Sequence, residues 1–308
     1  MSLYNNILET IGKTPLVRLS KIEKVYNLDV KLFAKLESFN PGNNVKTRPA
    51  FYMIKNMYEQ KIMDKDSKIV EASSGNTGIG LALVGAYYGN EVIIVMPENV
   101  SKERIDVLRH YGATVLLTDK EEGILGSEAK VKEMLANDKK AVQPSQFKNI
   151  NNPLSHYEMT AREIDVDLSG KIDYIFITIG TGGTVSGIGK YFKEHGRKTK
   201  IIGIEPESAP VISKGVNGNH KIQGIGPGFV PEILDLQVVD EIITISDEAA
   251  WEMTKLIPRI EGISAGISSG AALASALKYL NDQQLKQKNI VIIFPDSGEK
   301  YFSTTVFD

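Results

Sequence analysis

Short apolar or β-branched runs recur along the whole chain, at 31–36, 67–72, 91–96, 114–118, 173–179, 200–205, 241–246 and 289–294, and most are separated by stretches of helix length. A strand followed by a crossover helix returns parallel to its predecessor, so this alternation predicts an α/β fold of open parallel-type sheets with helices on both faces. In such folds, ligands gather at the carboxyl ends of the strands, where loops feed helix N-termini. The chain has 308 residues, 42% of them hydrophobic, enough for one large or two medium cores. No repeat and no Pro/Gly/Ser linker divides it. The polar segment 145–153 is the best place for a crossover between two lobes, and 206–232, rich in Gly and Pro, suits a site-lining loop better than a linker.

Charge and cysteine usage narrow the chemistry. With 36 basic and 38 acidic residues the formal charge is -2, which offers no single-signed field to nucleic acid or an anionic membrane. The absence of cysteine removes disulfides, thiolate metal sites and thiol nucleophiles together. The start, Met-Ser-Leu-Tyr-Asn-Asn, lacks a basic region followed by an apolar stretch, and no run approaches the ~20 apolar residues of a membrane span. The expectation is a cytoplasmic protein acting on small molecules. His110, His156, His195 and His220 show no paired ligand spacing, so no metal site is expected and each histidine is read as a surface or capping residue.

Four loops carry candidate chemistry. Ile-Gly-Thr-Gly-Gly-Thr at 179–184 lies between a strand and a helical pattern starting near Val185; converging backbone N–H groups and a helix N-terminus would cradle a phosphate. A dinucleotide fingerprint competes for the same loop, with Glu205 as the ribose-binding acid of an NAD-dependent dehydrogenase, but the third glycine it needs is replaced by Val185. Glu-Ala-Ser-Ser-Gly-Asn-Thr-Gly at 71–78 presents small polar groups beside another helix N-terminus and suits a carboxylate. In Asn-Pro-Gly-Asn-Asn-Val-Lys-Thr-Arg-Pro at 40–49, Lys46 falls in the first turn of a helical segment 45–60. A positive charge there opposes the helix dipole unless it is neutralised, as imine formation would do. Gly-Ile-Ser-Ser-Gly-Ala-Ala at 266–272 and Pro-Asp-Ser-Gly-Glu at 295–299 each place a serine near a turn.

Together, these loops resemble the cysteine synthase (O-acetylserine sulfhydrylase) family of fold-type II, tryptophan synthase β-like, pyridoxal phosphate enzymes. Further motifs extend the resemblance along the chain: Ile-Gly-Lys-Thr-Pro-Leu-Val-Arg-Leu at 11–19, Met-Pro-Glu with Ser-Lys-Glu-Arg at 96–104, Gln-Phe at 146–147 and Gly-Ile-Gly-Pro-Gly-Phe at 224–229. The resemblance implies that Lys46 holds pyridoxal 5′-phosphate as an imine, that Asn76 bonds the cofactor's ring oxygen, and that Gly180, Thr181, Gly182, Gly183 and Thr184 hold its phosphate. Ser268 would face the pyridine nitrogen. Ser73, Ser74, Gly75, Thr77 and Gln146 would bind the substrate, its carboxylate chiefly, and Gly228 would line the site.

The implied reaction is β-replacement through an aminoacrylate: O-acetyl-L-serine and sulfide give L-cysteine and acetate. The alternative consumes L-cysteine, releasing hydrogen sulfide and forming lanthionine or cystathionine. The resemblance further implies a large cofactor-binding domain of 1–44 and 147–308, a small mobile domain of 45–146, a homodimer, and serine acetyltransferase as a possible partner. Asn44 stands for the family's usual Ser, Thr47 for Asp or Cys, Ser73 for Thr, and Pro227 for a small residue. These departures bear on substrate choice.

Overall fold

The computed structural model describes residues 3–73 and 75–307. Its strands are β1 (Leu16–Arg18), β2 (Lys31–Leu36), β3 (Lys68–Ala72), β4 (Glu91–Pro97), β5 (Thr114–Thr118), β6 (Ala141–Val142), β7 (Tyr174–Thr178), β8 (Lys200–Pro206), β9 (Glu241–Ile245) and β10 (Asn289–Phe294). They form two sheets, one ordered β5-β4-β3-β6 and the other β1-β2-β10-β7-β8-β9. Every pairing is parallel except β1 with β2. The α/β fold with parallel sheets is the one the alternation of runs demands. All eight anticipated strands are present; β1 and β6, of three and two residues, carry too little pattern to be seen in the sequence.

The chain divides into two compact units. One runs up to Ile11 and then through Asn40–Asn152; the other comprises Gly12–Phe39 and everything from Pro153 onward. The first unit is built on the four-stranded sheet. On one face Val70, Ala72, Ile93 and Val95 pack against Val131 of the helix Gly123–Asn137. On the other lies the helix Asn76–Tyr88, whose residues from Thr77 to Gly85 are all buried. An added Cβ at Gly85 would lie 2.2 Å from Val92 Cγ2, so glycine there sets the close seating of helix on sheet.

The second unit is built on the six-stranded sheet, where successive residues point to opposite faces. Phe176, Ile202, Ile290 and Ile292 join Leu273 and Ala276 of the helix Ile267–Asp282 on one side. Ile175, Ile177, Val291 and Ile293 join Val185, Ile188 and Phe192 of the helix Gly183–Glu194 on the other. A strand covered on both faces is apolar throughout, which is why Tyr-Ile-Phe-Ile-Thr at β7 shows no polar alternation. Among the described residues no helix is long and apolar enough to cross a membrane.

Candidate active site

In the first unit, the helix expected from residue 45 starts at Thr47, and Lys46 is its N-cap. The Lys46 backbone N–H donates to Asn44 Oδ1 at 2.8 Å, and the Asn44 amide donates to the Gly42 carbonyl, so the buried Asn44 fixes the turn that delivers the lysine. The Lys46 carbonyl accepts from Ala50 N–H at 3.0 Å and begins the helix. A Cβ at Gly80 would lie 2.8 Å from that carbonyl oxygen, so only glycine lets the helix Asn76–Tyr88 approach so closely. Lys46 is half-buried as a residue, and loss of hydration at its amine pushes the pKa down to about 8. Next to it, Thr47 is fully buried, with no hydrogen-bond partner for its hydroxyl among the described residues.

The loop after β3 leads into the helix Asn76–Tyr88, with Gly75 as N-cap and the half-buried Asn76 as first residue. Ser73 Oγ accepts from Gly75 N–H at 3.3 Å and Gly78 N–H at 3.2 Å, so its oxygen closes the loop while its proton remains to donate. Ser74 lies outside the described residues. Thr77 Oγ1 donates to Gln146 Oε1 at 2.5 Å, which turns the Gln146 –NH2 outward as the donor for another acceptor. Gln146 is also held from behind: Asn152 Nδ2 donates to its carbonyl at 2.8 Å. The pairing of Thr77 with Gln146, 69 positions apart, left no signal in the local sequence pattern.

In the second unit, β7 runs into Gly180–Thr184 and the helix Gly183–Glu194, whose N-cap Gly182 has φ +83°. A Cβ at Gly182 would lie 2.8 Å from Leu234 Cβ, and one at Gly180 would lie 2.5 Å from the Gly224 carbonyl oxygen. The loop is therefore a backbone cradle with no room for side chains at those two positions. Thr181 Oγ1 accepts from Gly183 N–H at 3.3 Å. Thr184 Oγ1 lies 3.2 Å from His156 Nε2, and His156 Nδ1 lies 2.9 Å from Thr160 Oγ1.

His156 is fully buried, which corrects its reading as a surface or capping residue. The π-helical turn His156–Ala161 that carries it, with the turn Asn151–Ser155 before it, packs tightly against the helix Gly183–Glu194: a Cβ at Gly187 would lie 2.2 Å from the Pro153 carbonyl oxygen and 2.8 Å from His156 Cβ. Ser268 is buried in the first turn of Ile267–Asp282, near another helix N-terminus. Gly228 has φ +86°, so conformation demands glycine there. Glu205, the acid of the dinucleotide reading, instead accepts from Ile212 N–H at 2.8 Å and Ser213 N–H at 3.0 Å and caps the short helix Val211–Lys214.

A lysine whose amine has its pKa lowered to about 8, on a chain that also builds a separate glycine cradle at a helix N-terminus, fits a phosphorylated aldehyde: the amine suits the carbonyl and the cradle suits the phosphate. These features define a class of enzymes that carry such a cofactor on a lysine. The chain belongs to the pyridoxal-phosphate dependent enzyme family, which matches residues 7–296, and its cofactor is pyridoxal 5′-phosphate.

Relatives cover the whole chain. Cysteine synthase B of Campylobacter jejuni is 41% identical over 307 residues, all of this chain and all of that one. Cysteine synthase A of Escherichia coli is 42% identical, covering 97% of this chain and 94% of its own. Among solved structures, a hydrogen sulfide-producing enzyme from Fusobacterium nucleatum superposes with a TM-score of 0.93 at 42% identity, covering 97% of this chain and 100% of the other.

Proposed function

We propose that the protein replaces the β-substituent of a serine-derived amino acid, as a cysteine synthase that turns O-acetyl-L-serine and sulfide into L-cysteine and acetate. The observation that carries this reading is Lys46: an amine with its pKa brought to about 8, set at a helix N-cap by the buried Asn44, in a chain that matches cysteine synthases from end to end. Pyridoxal 5′-phosphate supplies an electron sink for negative charge at the substrate α-carbon. The neutral Lys46 amine takes the α-proton, since a base acts best when its pKa lies near the working pH. The Gln146 –NH2, aimed by the Thr77 hydroxyl, donates to the substrate carboxylate, together with the Ser73 and Ser74 hydroxyls and the Thr77 backbone N–H at the N-terminus of Asn76–Tyr88, with Gly75 beside them.

Gly180, Thr181, Gly182, Gly183 and Thr184 would hold the cofactor phosphate, Asn76 its ring oxygen and Ser268 its ring nitrogen, while Gly228 would line the site. A hydroxyl at that nitrogen would not hold it protonated as a carboxylate would, and so would favour elimination and addition over competing reactions of the substrate. We also propose a homodimer, a cytoplasmic location, docking of a serine acetyltransferase, and mobility of the small domain 45–146 against a cofactor-binding domain of 1–44 and 147–308.

A second reading keeps this chemistry and changes the leaving group: L-cysteine loses sulfide, and a thiol adds to give lanthionine or cystathionine. The likeness to a hydrogen sulfide-producing enzyme favours it, as does the Thr47 hydroxyl beside Lys46, which has no hydrogen-bond partner among the described residues. One incubation separates the two. Sulfide and lanthionine from L-cysteine alone mean the cysteine-consuming enzyme; turnover only on O-acetyl-L-serine with sulfide means the synthase. Lys46→Ala abolishes either reaction and the covalent retention of the cofactor, and normal turnover in that variant would overturn both.

A further inference from the structure

We propose that Glu71, which touches neither reacting atom nor cofactor in this scheme, is a positioning residue that fixes Gln146 for the substrate carboxylate. The inference rests on the substrate-binding role given to Gln146 above. Glu71 lies near the carboxyl end of β3 and is almost wholly buried, an unusual place for a carboxylate unless its oxygens are engaged. Its Oε2 accepts from Ser145 N–H at 2.8 Å, its Oε1 from Gln143 Nε2 at 3.3 Å, and the Gln146 N–H also donates to the carboxylate. Every one of those donors lies in the segment 143–146.

The backbone of that segment needs such a hold. Ser145 has φ +59°, a left-handed conformation that a residue with a Cβ adopts at a cost and keeps only when its surroundings fix it. Held in this way, Ser145 turns the chain so that Gln146 meets Thr77 through its side chain and Asn152 through its carbonyl. Gln146 is thus fastened at three points, two of them to its backbone. Burial pushes the Glu71 pKa up to about 8 against the pull of these donors, and the helix Gly123–Asn137 adds Glu128, whose Oε2 lies 3.5 Å from the same Gln143 Nε2 and whose negative charge pushes the same way as burial.

A carboxyl group placed merely to fill the core would bring no reason for the neighbouring N–H groups to converge on it; here Gln143, Ser145 and Gln146 of one loop do so, and the last of them is the proposed substrate donor. The device acts before substrate arrives, by removing alternative conformations of the loop, so its loss weakens binding of the amino acid more than it slows the chemical step.

The test uses the cofactor-loaded full chain and L-serine, which carries the substrate's amine and carboxylate but a poor leaving group. Above a pH of about 8, where the native Glu71 is ionised, Glu71→Gln keeps one carbonyl oxygen yet replaces the other acceptor with a donor, so binding is measured there. Loss of one to two such hydrogen bonds is expected to raise the L-serine Kd, read from the absorbance of the bound cofactor, about tenfold. In the reaction itself the loss falls on KM. Hydrogen exchange at the Ser145 and Gln146 amides, slow in the native chain, accelerates in Glu71→Gln, and Glu71→Gln with Gln146→Ala binds no worse than Gln146→Ala alone.

An unchanged Kd, additive penalties in the double variant, or rapid exchange of those two amides in the native protein would each overturn the proposal. The last measurement needs no variant and stands even where Glu71→Gln fails to fold. A native protein whose bound cofactor responds to no amino acid would overturn the proposed function itself, a result distinct from the exchange pattern around Glu71.

Discussion

At the residue scale, Lys46 makes a prediction that depends on the sign of its shift. Burial lowers its pKa from the ordinary lysine value to about 8, so the folded, cofactor-free protein binds fewer protons there than the unfolded chain. The resulting stability is present above the ordinary lysine pKa and is lost as pH falls through about 8. Because only the neutral amine attacks an aldehyde, the rate at which cofactor-free protein captures pyridoxal 5′-phosphate rises with pH about a midpoint near 8, and a midpoint in the ordinary lysine range would contradict the burial of this amine. Lysine 46 was legible in the sequence through the motif around it, whereas Glu71 was not. In Lys-Ile-Val-Glu-Ala it is one acid in a short strand, and only the return of residues 143–146 to that strand gives it donors. The burial of His156 was illegible for a related reason, since its partners Thr160 and Thr184 include one 28 positions away.

Elements explain why the two glycine-rich loops were easier to find than their supports. Each is a strand-to-helix turn, a local pattern in which glycine and small polar residues stand out against apolar neighbours. What the sequence hides is the third body against each turn. For Gly180 that body is the Gly224 carbonyl, and for the helix after it the turn at Pro153 and His156. Gly180→Ala forces its Cβ into backbone that has no flexible end to move aside. Overpacking of this kind costs about 1–3 kcal/mol, so cofactor affinity should fall roughly tenfold or more. Gly187→Ala meets the Pro153 carbonyl equally hard at the buried face of the helix, and its effect should fall on the melting temperature of the cofactor-free protein. Equal cofactor affinity in Gly180→Ala and the native protein, measured by equilibrium titration, would show that the cradle yields.

At the scale of the whole molecule, the parallel α/β plan was legible because strands covered on both faces are apolar throughout and stand out as runs. The order of strands within each sheet was not legible, since runs reveal that strands exist and nothing about which lie side by side. That order has a consequence for how the protein is made. β10, near the end of the chain, pairs with both β2 and β7 and so joins the two halves of the six-stranded sheet, while the four-stranded sheet is complete by Val142. A ribosome therefore delivers everything the first sheet requires long before the second can close, and β2 must wait through more than two hundred and fifty residues for the neighbour that covers its edge. Nascent chains stalled after Thr178 should resist protease across 40–152 and remain open to it across 12–39, until release of β10 seals the second sheet in a single late step.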